Sequence, residues 1–296
     1  MPVSKRRGKK SKSRPAQQAM NPPPIADRRA LEGLLALMTE DVAPDDPLTA
    51  AQELIYDAWD TPAKARRVSL ARKALALSAD CADAYVLLAL ETAGSVEEAC
   101  DLYARGMAAG ERALGRDGFE EYLGHFWGFL ETRPYMRARQ GLATALWELG
   151  SRDEAIAHYR DMLRLNPNDN QGIRYLLANC LLERGDDAAL ESLLKSYKDD
   201  GTANWGYTWA LLEFRKSGDG QAARRRLKGA AGQNVHVPVY LLGEKKLPKK
   251  RADYITWGGE DEAQEYVRDC GAAWRATAGA LEWLQARSGR TTSLRS

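Results

Sequence analysis

Apolar side chains along this chain return every three to four positions and rarely alternate, which is the period of helices packed on one face. Leu31, Leu34, Leu35 and Met38 predict a short amphipathic helix over 27–39, and Pro44 and Pro47 break the chain after it. Phe119, Tyr122, Phe126 and Phe129 recur at helical spacing within 115–135. Ala263, Tyr266, Val267, Ala273, Trp274, Leu281 and Leu284 predict a last helix from Glu260 to about Arg287. Residues 1–24 carry almost nothing to bury and end in Pro22-Pro23-Pro24, so they are expected to be disordered.

Between these segments the pattern repeats. Residues 136–169 place Leu142, Ala143 and Leu146 before a turn at Gly150, then Ala155 and Tyr159, and end at Pro167. Two antiparallel helices joined by a tight turn need small residues where their axes approach, here Ala143 and Ala155, with larger ones filling either side. The same phase returns 34 residues later with Leu176, Leu177, Gly185, Ala189 and Leu193, and again with Tyr207, Leu211, Gly218, Ala223 and Leu227. This spacing resembles the tetratricopeptide repeat, which implies an all-α, right-handed solenoid of helix pairs. Upstream the pattern frays. Leu54, Ile55, Trp59, Ala74 and Leu77 keep the phase, but Arg67 stands at a close-approach position and Pro62 where the turn belongs. A second degenerate unit follows from Ala82, with its turn at Gly94. The expected divisions are a basic, Pro-rich tail (1–24), a helix with two degenerate units (25–114), an aromatic-rich helical insertion (115–135), three regular units (136–237), a helical cap (238–287) and a flexible tail (288–296).

Composition narrows the function more than the fold. The four cysteines, Cys81, Cys100, Cys180 and Cys270, form no CxxC pair, and three scattered histidines offer no metal-ligand spacing. No metal or cofactor is expected. Neither GxGxxG nor GxxxxGK[ST] is present, and His125, Glu131 and Arg133 are near one another without a spacing that chemistry demands. The chain is therefore expected not to be an enzyme. No apolar run is long enough to span a bilayer, so the expectation is a cytoplasmic protein with no membrane partner. The net charge of +2 hides an asymmetry: residues 1–14 hold seven cations and no carboxylate. Such an arm can attract phosphate backbones, which keeps nucleic acid or the ribosome open as an alternative partner.

A narrower resemblance lies in the second half. Asn234–Pro248, Gly259–Ala263 and Trp274 through Leu284, with Leu149–Ala155 and Leu194–Asp200 upstream, are similar to the suppressor-of-tumorigenicity-seven family over roughly residues 115–285. That family implies no catalytic residues. The repeat resemblance itself implies a concave groove lined by the first helix of each pair. Carried onto this sequence it gives Arg137, Gln140, Trp147, Arg174, Trp205 and Arg215 as partner-binding residues, a cation-rich face suited to a protein or peptide with acidic groups. Function is thus expected to be that of a non-catalytic scaffold.

Overall fold

The computed structural model describes residues 46–252 and 254–288; the expected helix over 27–39, the basic arm and the stretch from 289 onward lie outside them. Thirteen helices and no strand make up the described residues. Five helix pairs follow one another: α1 (Pro47–Asp60) with α2 (Lys64–Leu77), α3 (Ala82–Thr92) with α4 (Val96–Glu121), α5 (Arg133–Glu148) with α6 (Arg152–Leu165), α7 (Ile173–Arg184) with α8 (Asp187–Ser196), and α9 (Ala203–Ser217) with α10 (Gln221–Gln233). Each second helix packs on its own partner and, through the fourth pair, on the first helix of the next. This is an α-solenoid. A short α11 (Val237–Leu241), then α12 (Glu260–Ala276) and α13 (Ala280–Arg287), close its C-terminal end.

The turns form where the sequence places them. Gly150, Gly185 and Gly218 all have positive φ (86°, 75° and 59°), a region that a Cβ disfavours. The degenerate units solve the same problem differently. Arg67, at the position meant for a small residue, points away from its neighbour, donating to Glu91 at 2.7 Å and to the carbonyls of Thr61 and Pro62. It thereby satisfies the end of α1 that Pro62 leaves open.

Two expectations change. The insertion is helical only in its first part: α4 runs through to Glu121 with a break at Gly115 (φ 59°), and 122–132 are turns. There Phe126 is buried beside Phe119 and Tyr135, while Gly124 and Phe126 donate to the carbonyl of Leu165. A division at 115 therefore falls inside a helix that belongs to both neighbours. The final helix is also two, because Gly279 takes a left-handed conformation (φ 76°) and breaks it after Ala276. That break swings Trp283 against Phe214, centroids 4.6 Å apart.

Packing between units two and three depends on absent side chains. A Cβ on Gly110 would lie 2.8 Å from that of Tyr135, and one on Gly141 would lie 2.3 Å from the ring of buried Tyr103. Between units four and five the tie is polar. Asp169 accepts from the amides of Ile173 (2.7 Å) and Arg174 (2.8 Å), capping α7. Arg174 donates to Asp169 Oδ2 at 2.9 Å and to Asp200 Oδ2 at 2.8 Å. The other oxygen of Asp200 receives the amide and hydroxyl of Thr202, the residue that caps α9. One guanidinium thus fastens the starts of two successive first helices. Burial alone would raise Asp200, but hydrogen bonds from Thr202, Tyr175 and Arg174 overcome it and hold the carboxyl below its usual value.

Gly141→Ala should destabilise the chain by about 1–3 kcal/mol, since the Tyr103 ring is enclosed. Gly229→Ala on α10, where nothing lies within 4 Å of the new carbon, should stabilise by about 0.5–1 kcal/mol. Urea unfolding of the two variants checks both signs. Arg174→Met removes the only cation from two carboxylates that keep their other hydrogen bonds, and should cost about 2–4 kcal/mol at neutral pH. In the wild type, Asp200 has a depressed folded value, so its stabilisation exists above the unfolded pKa and fades as pH falls through the folded one. Burial already holds Asp169 above its usual value, and in the variant it loses the opposing Arg174 charge and rises further, so that protonation relieves it. The gap between wild type and Arg174→Met should therefore narrow on acidification toward pH 4, and a gap that widens contradicts the assignment.

Candidate partner-binding channel

First helices α1, α3, α5, α7 and α9 line the inner face of the stack. Over its last two units that face is already filled. Helix α12 packs on both α7 and α9, running parallel to α9: Glu262 accepts from the amide of Ala203 at 2.9 Å, Tyr266 faces Tyr207 with centroids 5.8 Å apart, and Thr277 accepts from Arg215 at 3.0 Å. On the other side Cys270 donates to Asn179 of α7 at 3.0 Å. The inner positions Ala178, Leu182, Thr208 and Leu212 are consequently buried.

This sequence folds that way because α12 is amphipathic: Ala263, Tyr266, Val267, Cys270, Ala273 and Trp274 face inward and are buried. The buried carboxylate of Glu262 is fully occupied, since Asn234 (3.0 Å) and Gly258 (2.8 Å) also donate to it. It caps α9 from outside the pair, adding an anion at a helix N-terminus.

The expected groove residues separate into two groups. Arg174 belongs to the junction between units four and five. Arg215 donates to Thr277, to the Leu182 carbonyl and to Asp187, joining three helices. Trp205, 1% exposed, donates its indole to the Leu194 carbonyl and meets Tyr175 and Tyr197 edge-on. Trp205 is thus buried away from any partner, while Arg174 and Arg215 are half-buried with their guanidinium groups engaged by neighbouring elements: a repeat position fixes the helix face, but the cap and the neighbouring units decide how far that face is open.

In unit three the surface is less enclosed. Arg137 grips the fully buried Asp83 through Nε at 2.8 Å and lies over the Trp59 ring at 4.9 Å. Gln52 also donates to Asp83, at 3.0 Å, so one buried carboxylate organises units one to three. Gln140 is half-buried, its amide oxygen accepting from Gln171 at 2.9 Å. Trp147 is half-buried with Arg152 over its ring at 4.9 Å, and Glu148 beside it is exposed. On α5, Gln140, Thr144 and Trp147 are thus half-buried and Glu148 exposed. The sequence carried no simple signal for Asp83 or Glu262, which are charged residues among apolar neighbours and acquire partners only through tertiary contact.

Chemistry finds little support here. Burial, with Asp83 adding to it, pushes the Cys81 thiol up to about 12, and burial with Glu183 does the same to Cys180, so neither is a ready nucleophile. Burial and the adjacent Arg139 hold the His158 imidazole below its usual value. His125 and Glu131 are exposed, while Arg133 donates to the Trp127 carbonyl and stacks on its ring. No group of three or more His, Cys, Asp or Glu among the described residues could hold a metal ion, and none of the helices described is long and apolar enough to cross a membrane.

Comparison with known proteins reaches further along the chain than the sequence resemblance did. The solved structure of YrrB, described as a TPR protein with an unusual peptide-binding site, aligns over 69% of this chain and 92% of its own at 19% identity and a TM-score of 0.43. Among curated relatives, a bovine suppressor of tumorigenicity 7 protein-like is 30% identical over 267 residues, covering 81% of this chain and 47% of the relative. The Drosophila melanogaster protein ST7 homolog is 28% identical over 255 residues, covering 78% and 47%. The chain therefore spans about half the length of the relatives it matches. The family model for ST7 protein covers residues 38–291, taking in all five helix pairs and the cap: this chain belongs to the ST7 family.

Proposed function

We propose that the chain is a non-catalytic scaffold that holds a protein or peptide segment along the inner face of its first three units. The observation that supports this is α12 itself, an amphipathic helix lying in the same channel two units further on. A channel that accepts a helix parallel to its lining, with polar contacts at both ends and apolar residues between, suits the same kind of ligand from another chain. Trp147 supplies an aromatic anchor at the border of that stretch, and Gln140 and Thr144 offer polar contacts beside it. Arg137, held by Asp83, contributes shape to the floor more than free charge.

The alternative, nucleic-acid association through the seven cations of residues 1–14, rests on the sequence alone. The two readings separate cleanly in an affinity-capture experiment. Trp147→Ala and Glu148→Arg, each checked for an unchanged melting temperature, should weaken capture of a protein partner about 10- to 30-fold, as loss of an interface anchor does. Removing residues 1–20 should leave capture intact. Binding that survives both substitutions and vanishes with the arm, or with nuclease treatment, rejects the channel and favours the alternative.

A further inference from the structure

At the C-terminal end, away from the channel, the connection between α11 and α12 displays side chains that a water-facing loop does not need. Trp257 is 82% exposed and Tyr254 71%, and Val235, at the end of α10, is 61% exposed. Trp257 and Val235 are close in the fold: a Cβ on Gly258 would meet the Gln233 carbonyl at 3.1 Å, and Asn234 donates to the Gly259 carbonyl at 2.9 Å. The described stretches on either side of these rings are tied down. Asp261 accepts from the amide of Thr256 at 2.8 Å, Lys245 pairs with Glu260, and Arg251 pairs with Glu265 and Asp269 on α12. An indole is thus held outward on a braced segment.

Charge around it favours an anionic target. Glu260 and Asp261, the carboxylates beside Trp257, are occupied by Lys245 and by backbone amides. Lys246 and Lys249 are exposed and have no carboxylate within 4 Å among the described residues.

We propose that this loop is a docking surface for an anionic phospholipid bilayer, with Trp257 and Tyr254 entering the headgroup region and Lys246 and Lys249 facing lipid charge. The degree of exposure selects this occupant: rings left more than two-thirds exposed are not lining a groove, whereas a peptide or a nucleic-acid strand needs a concavity or a row of stacking platforms. Indole and phenol rings beside lysines are the side chains that settle at a membrane–water interface. This adds a membrane surface, which the sequence reading left out, and requires no spanning helix.

The test is flotation of the full chain with vesicles of phosphatidylcholine alone and with 30% phosphatidylserine added, at about 0.1 M salt. The expected result is binding to the anionic vesicles that falls severalfold in Trp257→Ala and about fivefold for each lysine removed in Lys246→Gln and Lys249→Gln. Because the basic arm can also attract anionic lipid, the Trp257 dependence is the deciding readout. Trp257 is so exposed that its replacement should leave the melting temperature unchanged. Vesicle binding that is equal in wild type and Trp257→Ala assigns the effect to the arm and overturns the proposal. So does an absence of vesicle binding, or Trp257-dependent binding to single-stranded RNA without any to vesicles.

Discussion

Everything at the C-terminal half depends on one amphipathic helix laid across two others. A stack of helix pairs leaves its inner face and its last unit with apolar surface that water would meet, and α12 covers both. Its Tyr266, Val267 and Trp274 continue the core that begins near Phe126. Its Glu262 supplies α9, already capped by Thr202, with a second N-terminal acceptor from across the chain. The buried area follows from the hydrophobic effect, but the placement follows from the polar contacts, because a buried carboxylate tolerates only a position in which every oxygen is satisfied.

The inner face is therefore two surfaces of different character. Over units four and five it is interior, with Trp205, Leu212 and the Arg215 guanidinium committed to neighbours. Over units one to three it is organised around Asp83, whose partners Gln52 and Arg137 come from the flanking first helices. The buried side chains of the first two units are largely alanines such as Ala51, Ala58, Ala71, Ala74 and Ala84. Small residues let the helices approach but give up the area that larger ones would bury.

Much of the fold was legible in the sequence because its signals are local. A glycine that needs positive φ, an alanine at a helix crossing and a proline past a helix end each act within a few residues, and Gly150, Gly185, Gly218 and Pro167 all sit as their spacing implied. What was not legible is long-range. Nothing near Arg174 announces that Asp200 will fold back onto it, and the break at Gly279 is invisible in the apolar period on either side. The site suffered more than the fold for that reason. Repeat positions identify which side chains face inward, yet the occupant of the inward space comes from 60 residues further along the chain, as with Ala203 and Glu262.

The Arg174 junction and the span of α12 carry a consequence for how this architecture can vary. An ordinary solenoid is modular: each unit touches only its neighbours, so units can be gained or lost along the array. Here α12 must reach α7 and α9 together, and a single guanidinium joins the starts of both. Units four and five are bound to the cap as one block of fixed length. Growth by whole units is compatible with the fold ahead of the Asp83 network, while the C-terminal block can change only by substitution.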